Sequence, residues 1–134
     1  MNLAIIFAGG DNEYNFVSLA GKELLLHSIE SFEKNDDIDK ILVILREKET
    51  DKFRSLLKNH KYTKLHSVLK CNGNRQESIS NALSYLKSKG AIEEDVIVVH
   101  NSKSPFVSQR EISESVSKVM KHGSCVTAKN THEF

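Results

Sequence analysis

Three short stretches carry residue types suited to chemistry on small anionic ligands. Ala8-Gly9-Gly10 closes the apolar run from Leu3 to Ala8. Glycines at such a place let the backbone approach a phosphate or a base, because no side chain intervenes and φ is free. Cys71-Asn72-Gly73-Asn74 leads into a helix whose first turn is Arg75, Gln76, Glu77 and Ser78. The unsatisfied N–H groups of a helix start attract anions or polar base edges, and Ser78 offers a hydroxyl to a pyrimidine. His100, Asn101 and Ser102 follow the apolar run Val96–Val99, where polar side chains can ligate a metal or hold a ribose. Each stretch has a plainer reading as well. The glycines make a simple strand-to-loop turn, Asn72 or Asn74 caps a helix that favours Glu77 near its positive end, and Pro105 with Phe106 packs a surface loop under the next helix.

These stretches need elements to position them. Short runs rich in Val and Ile occur at Leu3–Phe7, Ile41–Leu45, Leu65–Leu69, Val96–Val99 and Ser124–Ala128. They do not alternate with polar residues, so they read as strands buried on both faces. Between them, Leu25, Ile29 and Phe32, then Phe53, Leu56 and Leu57, then Ile79, Ala82, Leu83 and Leu86, then Ile112, Val116, Val119 and Met120 each fall on one face of a helix. Gly90 and Gly123 stop the third and fourth helices. Alternation of strand and helix predicts an α/β domain of Rossmann-like, doubly wound type, with a mostly parallel sheet and helices on both faces. Ligands of such sheets sit beyond the carboxyl ends of the strands, near the point where strand order reverses, which is where all three stretches fall. No repeat, low-complexity tract or Pro/Gly-rich linker interrupts the chain, so residues 1–134 read as one domain.

Composition narrows the function classes. A chain of 134 residues suffices for one domain with a real core. With 19 Lys and Arg against 18 Asp and Glu, the formal charge of +1 provides no global field for nucleic acid or an anionic membrane. Any anion site is therefore local. Two cysteines, Cys71 and Cys125, match neither a disulfide framework nor a metal-ligand spacing, and six histidines follow no zinc pattern. The cytoplasm is the expected compartment, since the apolar start is too short to span a membrane and no basic segment precedes it.

The order and spacing of the three stretches resemble the cytidylyltransferases that make CDP-methylerythritol or CDP-ribitol from CTP. That family carries an AGGxGxRMGxxxPKQ loop, a GGxxRxxSV segment opening a helix, and a strand ending VHDxARPFV. Here the counterparts are AGG at Ala8–Gly10, LAGKELLLHSIESF at Leu19–Phe32, NRQESISNAL at Asn74–Leu83 and VVHNSKSPFV at Val98–Val107. The resemblance implies attack by a phosphate oxygen of a sugar-alcohol phosphate on the α-phosphorus of CTP, with Mg²⁺ held by a carboxylate and pyrophosphate released. It implies nucleotide contacts at Ala8, Gly9, Gly10, Asn72, Gly73, Ser78 and Ser102, and it places the metal position at Asn101.

Several positions depart from the pattern. The glycine-rich loop is shortened and lacks its Arg and Lys, with Asp11 and Glu13 in the neighbourhood instead. The metal-holding Asp falls on Asn101, which keeps an oxygen but loses the charge that a hard cation prefers. The Arg of the last motif falls on Ser104, beside Lys103, and the second glycine pair reads Cys71-Asn72. Lys22 and Lys103 are the candidate replacement cations. Losing one electrostatic stabiliser costs about 2.7–4 kcal/mol of transition-state binding, so the expectation is impaired or lost catalysis. The alternative is a non-catalytic nucleotide-binding or partner-binding derivative of the fold. The chain stops before the family's hairpin arm and last strand-helix portion, which reads as a truncated domain with an uncovered edge and an expected tendency to form homo-oligomers.

Overall fold

The computed structural model describes residues 1–10, 14–71, 74–90, 95–102, 107–122 and 132–133, with side-chain surroundings described as far as residue 118. β1 (Asn2–Ala8) is the central strand, paired in parallel with β4 (Lys40–Leu45) on one side and β6 (Val96–Asn101) on the other. β5 (Leu65–Lys70) lies outside β4, and β7 (His132–Glu133) lies outside β6. The resulting order, β5-β4-β1-β6-β7, is all parallel and reverses direction between β1 and β6. This confirms the doubly wound sheet. The expected strand at Ser124–Ala128 lies outside the described residues, as does Gly123.

The unbroken apolar runs have a simple origin, because both faces of the sheet are covered. Ala4, Ile6 and Ala8 of β1 join one cluster with Leu25, Ile29 and Phe32 of α1 (Leu24–Glu33), Phe53 of α2 (Thr50–Leu57) and Ile112 and Val116 of α4 (Gln109–His122). Leu3, Ile5 and Phe7 point the other way, into a second cluster with Ile79, Ala82 and Leu86 of α3 (Arg75–Ser88). The period-2 side-chain geometry of a strand thus ties both layers to the same seven residues.

Local signals set the helix ends. Asn74 Oδ1 accepts from Glu77 N at 2.8 Å to cap α3, and Gly90 follows its end at φ +100°, a left-handed position suited to glycine. At the start of α4, Ser108 Oγ accepts from Glu111 N at 3.0 Å while Glu111 Oε1 accepts from Ser108 N at 3.3 Å, a reciprocal capping box. A hairpin before α1 was not anticipated. β2 (Ser18–Leu19) and β3 (Lys22–Glu23) form a two-stranded antiparallel hairpin whose turn residues, Ala20 and Gly21, have φ of +54° and +79°.

Candidate functional site

The carboxyl ends of β1 and β6 meet at the strand-order reversal, with Phe7 in register opposite Asn101 and Ser102 N donating to Phe7 O at 3.0 Å. Gly9 follows β1 and touches the end of β5. Cys71 N donates to Leu45 O at 2.7 Å, which carries its side chain over Gly9, and a Cβ built on Gly9 would stand 2.7 Å from both Cys71 Cβ and Cys71 Sγ. Glycine is required here by packing, whether or not a ligand approaches. Cys71 Sγ in turn lies 3.0 Å from Ser78 Oγ, and that hydroxyl donates to Asn74 O at 3.0 Å. Arg75, in the first turn of α3, places its guanidinium 5.7 Å from the centroid of the Phe7 ring. The backbone rim of β1, the polar start of α3 and the end of β6 therefore surround one place.

A buried polar network braces this rim from the other side. Asn15 Nδ2 donates to Ala8 O at 2.7 Å and to Glu49 Oε1 at 3.2 Å, while Asn15 Oδ1 accepts from Ser102 Oγ at 2.9 Å. Arg46 Nε donates to the same Glu49 oxygen at 3.4 Å. One amide side chain thus fixes the end of β1 to the loop after β6 and to the turn after β4. Sequence reasoning did not identify Asn15, Arg46 or Glu49, because their partners are distant in sequence and no motif marks them.

The anticipated residues have varied surroundings. Ala8, Gly9 and Gly10 form the rim, and Ser78 and Ser102 lie beside it, both buried with hydroxyls already hydrogen-bonded inside the protein. Asn101 ends β6, half-buried at the reversal point. Asn72, Gly73 and Lys103 lie outside the described residues, as do Ser104, Pro105, Phe106, Asp11 and Glu13. Lys22 donates to Glu30 Oε1 in an ion pair across β3 and α1, so its ammonium is engaged structurally. His100 is fully buried, 3.3 Å from Ser28 Oγ and packed against Phe32, a core position rather than a metal or ribose ligand.

Mg²⁺ is the cofactor that the family pattern implies, and the donors among the described residues do not suit it. Asn101 brings a neutral amide oxygen where a carboxylate is called for, and among the described residues no three His, Cys, Asp or Glu side chains converge. A cavity of about 280 Å³ opens at the opposite, amino end of the sheet, bordered by Leu3, Leu42, Lys40, His66 and Asp95, away from all of these groups. No helix among the described residues is long and apolar enough to cross a membrane.

Shifted ionisation marks the hairpin side of α1. Burial would raise the Glu30 carboxyl, but hydrogen bonds from Lys22 and Tyr62, with the Lys22 charge, outweigh burial and hold it below its ordinary value. Tyr62 donates to Glu30 Oε2 at 2.7 Å, and burial together with that carboxylate raises the phenol well above its usual value. This trio ties β3, α1 and the segment before β5 together and serves structure.

A parallel sheet of this order with a backbone-lined rim at its reversal point defines a Rossmann-like, doubly wound α/β fold. The chain belongs to the 2-C-methyl-D-erythritol 4-phosphate cytidylyltransferase (IspD) family, whose model matches residues 8–131. It is 33% identical to the 2-C-methyl-D-erythritol 4-phosphate cytidylyltransferase of Clostridium tetani, over 97% of this chain and 55% of that protein. It is 30% identical to the ribitol-5-phosphate cytidylyltransferase of Vibrio parahaemolyticus, over 95% of this chain and 56% of that protein. The crystal structure of 4-diphosphocytidyl-2C-methyl-D-erythritol synthase from Anaerococcus prevotii superposes with a TM-score of 0.73 at 18% identity, covering 90% of this chain and 51% of the other. The chain spans about half the length of the curated relatives it matches.

Proposed function

We propose that this chain holds a cytidine nucleotide, CTP, at the carboxyl ends of β1, β5 and β6, and that its transfer to a sugar-alcohol phosphate is impaired or lost. The observation that carries this reading is Asn101. It stands at the strand-order reversal, opposite Phe7, where the family pattern has its metal-holding Asp. The backbone rim and the Arg75–Ser78 helix start are kept, while the charged groups that would stabilise a departing pyrophosphate are replaced. Family membership supports the nucleotide class, and the named relatives support methylerythritol phosphate or ribitol phosphate as the acceptor class.

Calorimetric titration of CTP, with and without Mg²⁺, tests the binding half. Pyrophosphate release in the presence of methylerythritol phosphate or ribitol phosphate tests the other half. Binding with no release, or with release far slower than by a full-length relative, is the expected outcome, and turnover as fast as that relative's would refute it. A second reading, a partner-binding derivative, draws support from Tyr14, Val17 and Leu19, which expose 47%, 49% and 43% of their surface within one short segment. Failure of CTP to bind at millimolar concentration would leave that reading alone.

A further inference from the structure

Gly9 and Gly10 give the rim no stiffness of their own, because a glycine backbone has more freedom to lose on ordering than any other. The peptide after Ala8 is held instead by a side chain, that of Asn15. This residue is only 3% exposed, and its main-chain oxygen accepts from Leu25 N at 3.0 Å, which anchors it to the start of α1. Its amide fits one way round. Nδ2 faces Ala8 O at 2.7 Å and Glu49 Oε1 at 3.2 Å, a carbonyl and a carboxylate that accept, while Oδ1 takes the Ser102 hydroxyl at 2.9 Å. The reversed amide would set oxygen against both acceptors. Glu49 is itself steadied, since Arg46 Nε donates to the same oxygen at 3.4 Å.

A trans peptide is planar, so its C=O and N–H point in opposite directions. By holding Ala8 O, Asn15 therefore fixes the direction of the Gly9 N–H, which points away from it. Cys71 packs over the same glycine from the α3 side, and the bond to Ser102 sets the end of β6 against the rim. We infer that Asn15 is a positioning residue of the ligand site, which holds the Gly9 N–H and the end of β6 in one arrangement before a ligand arrives and so sets the ligand's affinity. It acts through the rim peptide and not by contact with the ligand. Preorganisation of this kind strengthens binding by lowering the ordering that binding requires. Asn35 provides the contrast. It is buried to the same degree, but its amide ties the end of α1 to α4, with Nδ2 donating to Gln109 Oε1 at 2.9 Å.

For the ligand's identity this rests on the nucleotide reading above, so the first measurement uses none. In ¹⁵N relaxation of the free chain, the Gly9 amide should show an order parameter near that of rigid backbone, about 0.85, and Asn15→Asp should lower it toward about 0.6. A mobile Gly9 in the wild type, or an equally rigid one in the variant, would overturn the proposal. The second measurement is calorimetric titration of CTP, at a temperature where circular dichroism shows each variant folded. Asn15→Ala should raise the Kd by roughly tenfold. Asn15→Asp should raise it further, because it keeps the acceptor for Ser102 but turns an oxygen toward Ala8 O and Glu49. Asn35→Ala should lower the thermal midpoint and leave the Kd unchanged. Equal CTP affinity in the wild type and both Asn15 variants would overturn the proposal. So would a larger loss from Asn15→Ala than from Asn15→Asp, the order that lost volume alone produces, or an equal loss from Asn35→Ala. Should the Asn15 variants fail to fold, Glu49→Ala, which frees one side of the amide, replaces them in both measurements with the same direction expected and the same result overturning it. Absence of CTP binding to the wild type, with Gly9 rigid and loosened by Asn15→Asp, would remove the nucleotide reading and uphold the positioning role. CTP bound equally by every variant would do the reverse.

Discussion

A methyl group at Gly9 has nowhere to go. Its carbon would stand 2.7 Å from Cys71 Cβ and Sγ and 3.3 Å from Phe7 Cε1, and the first of these is not the movable end of a side chain. Gly9→Ala should therefore cost about 1–3 kcal/mol, the usual penalty of overpacking, seen as a lower denaturant midpoint at unchanged slope. Cys71→Ala keeps the offending Cβ and should give little relief, whereas Cys71→Gly removes it and should restore most of the loss. A double-mutant cycle measures that coupling directly. If Gly9→Ala cost the same in both backgrounds, the two residues would not share this space. The contact also bears on the ligand, because the family pattern has glycine at the position of Cys71. The thiol occupies ground that a bare backbone would leave open beside the rim, so Cys71→Gly is expected to tighten CTP binding in the same calorimetric titration.

The β2–β3 hairpin shows what an element pays for an unsuited turn residue. Ala20 sits at φ +54° and Gly21 at +79°, the two left-handed positions of a type I′ turn, and only the second has a residue that adopts that region freely. Ala20→Asn should stabilise the protein by about 1 kcal/mol, since Asn tolerates the left-handed region that costs other residues roughly 1–2 kcal/mol. Ala20→Gly should help less, because it also loosens the unfolded chain; a fall in thermal midpoint for both would contradict the turn geometry. The same hairpin is pinned to α1 through Lys22, Glu30 and Tyr62. The folded Glu30 carboxyl titrates below its ordinary value of 4.5, so its contribution is present above that value and lost as pH falls through the folded one. Glu30→Gln should flatten the acid arm of a stability–pH curve while leaving the arm near neutrality parallel to that of the wild type. The hairpin was not legible in the sequence, because Leu19-Ala20-Gly21-Lys22 lacks an Asn-Gly or Asp-Gly pair and two-residue strands are too short to show a period. Runs such as Ile41–Leu45 and spacings such as Leu25, Ile29 and Phe32 were legible, because burial between layers imposes them over whole elements. The site divides along the same line. Its glycine rim and polar strand ends follow the strands in sequence, but Asn15 meets Ala8, Glu49 and Ser102 across separations of 7, 34 and 87 residues, and only the folded sheet brings them together.

At the scale of the whole molecule, both apolar layers share one sheet. Residues of β1 alternate between the cluster of α1, α2 and α4 and the cluster of α3, so neither layer can separate without exposing the central strand. A single cooperative unfolding transition is therefore expected. The rim draws on β1, β6 and the start of α3, elements from both layers, so a ligand seated there is linked to unfolding of the entire chain and not to a local loop. At a free CTP concentration of 100 times its Kd the linkage is about 2.7 kcal/mol, which for a chain of this length raises the thermal midpoint by roughly 10 °C. Because Asn101 offers a neutral oxygen, adding Mg²⁺ should change that shift little, whereas a carboxylate there would make the shift depend on the metal. Cytidine should give a smaller shift than CTP at matched concentration, because it lacks the phosphates that the N–H groups at the start of α3 would attract. A calorimetric scan with CTP, CTP plus Mg²⁺, and cytidine therefore reads base contact, phosphate contact and metal dependence as three separate displacements of one transition. Should CTP saturate the folded chain yet leave the midpoint unmoved, the nucleotide would have to bind the unfolded chain equally well, and the sheet-end site would be excluded.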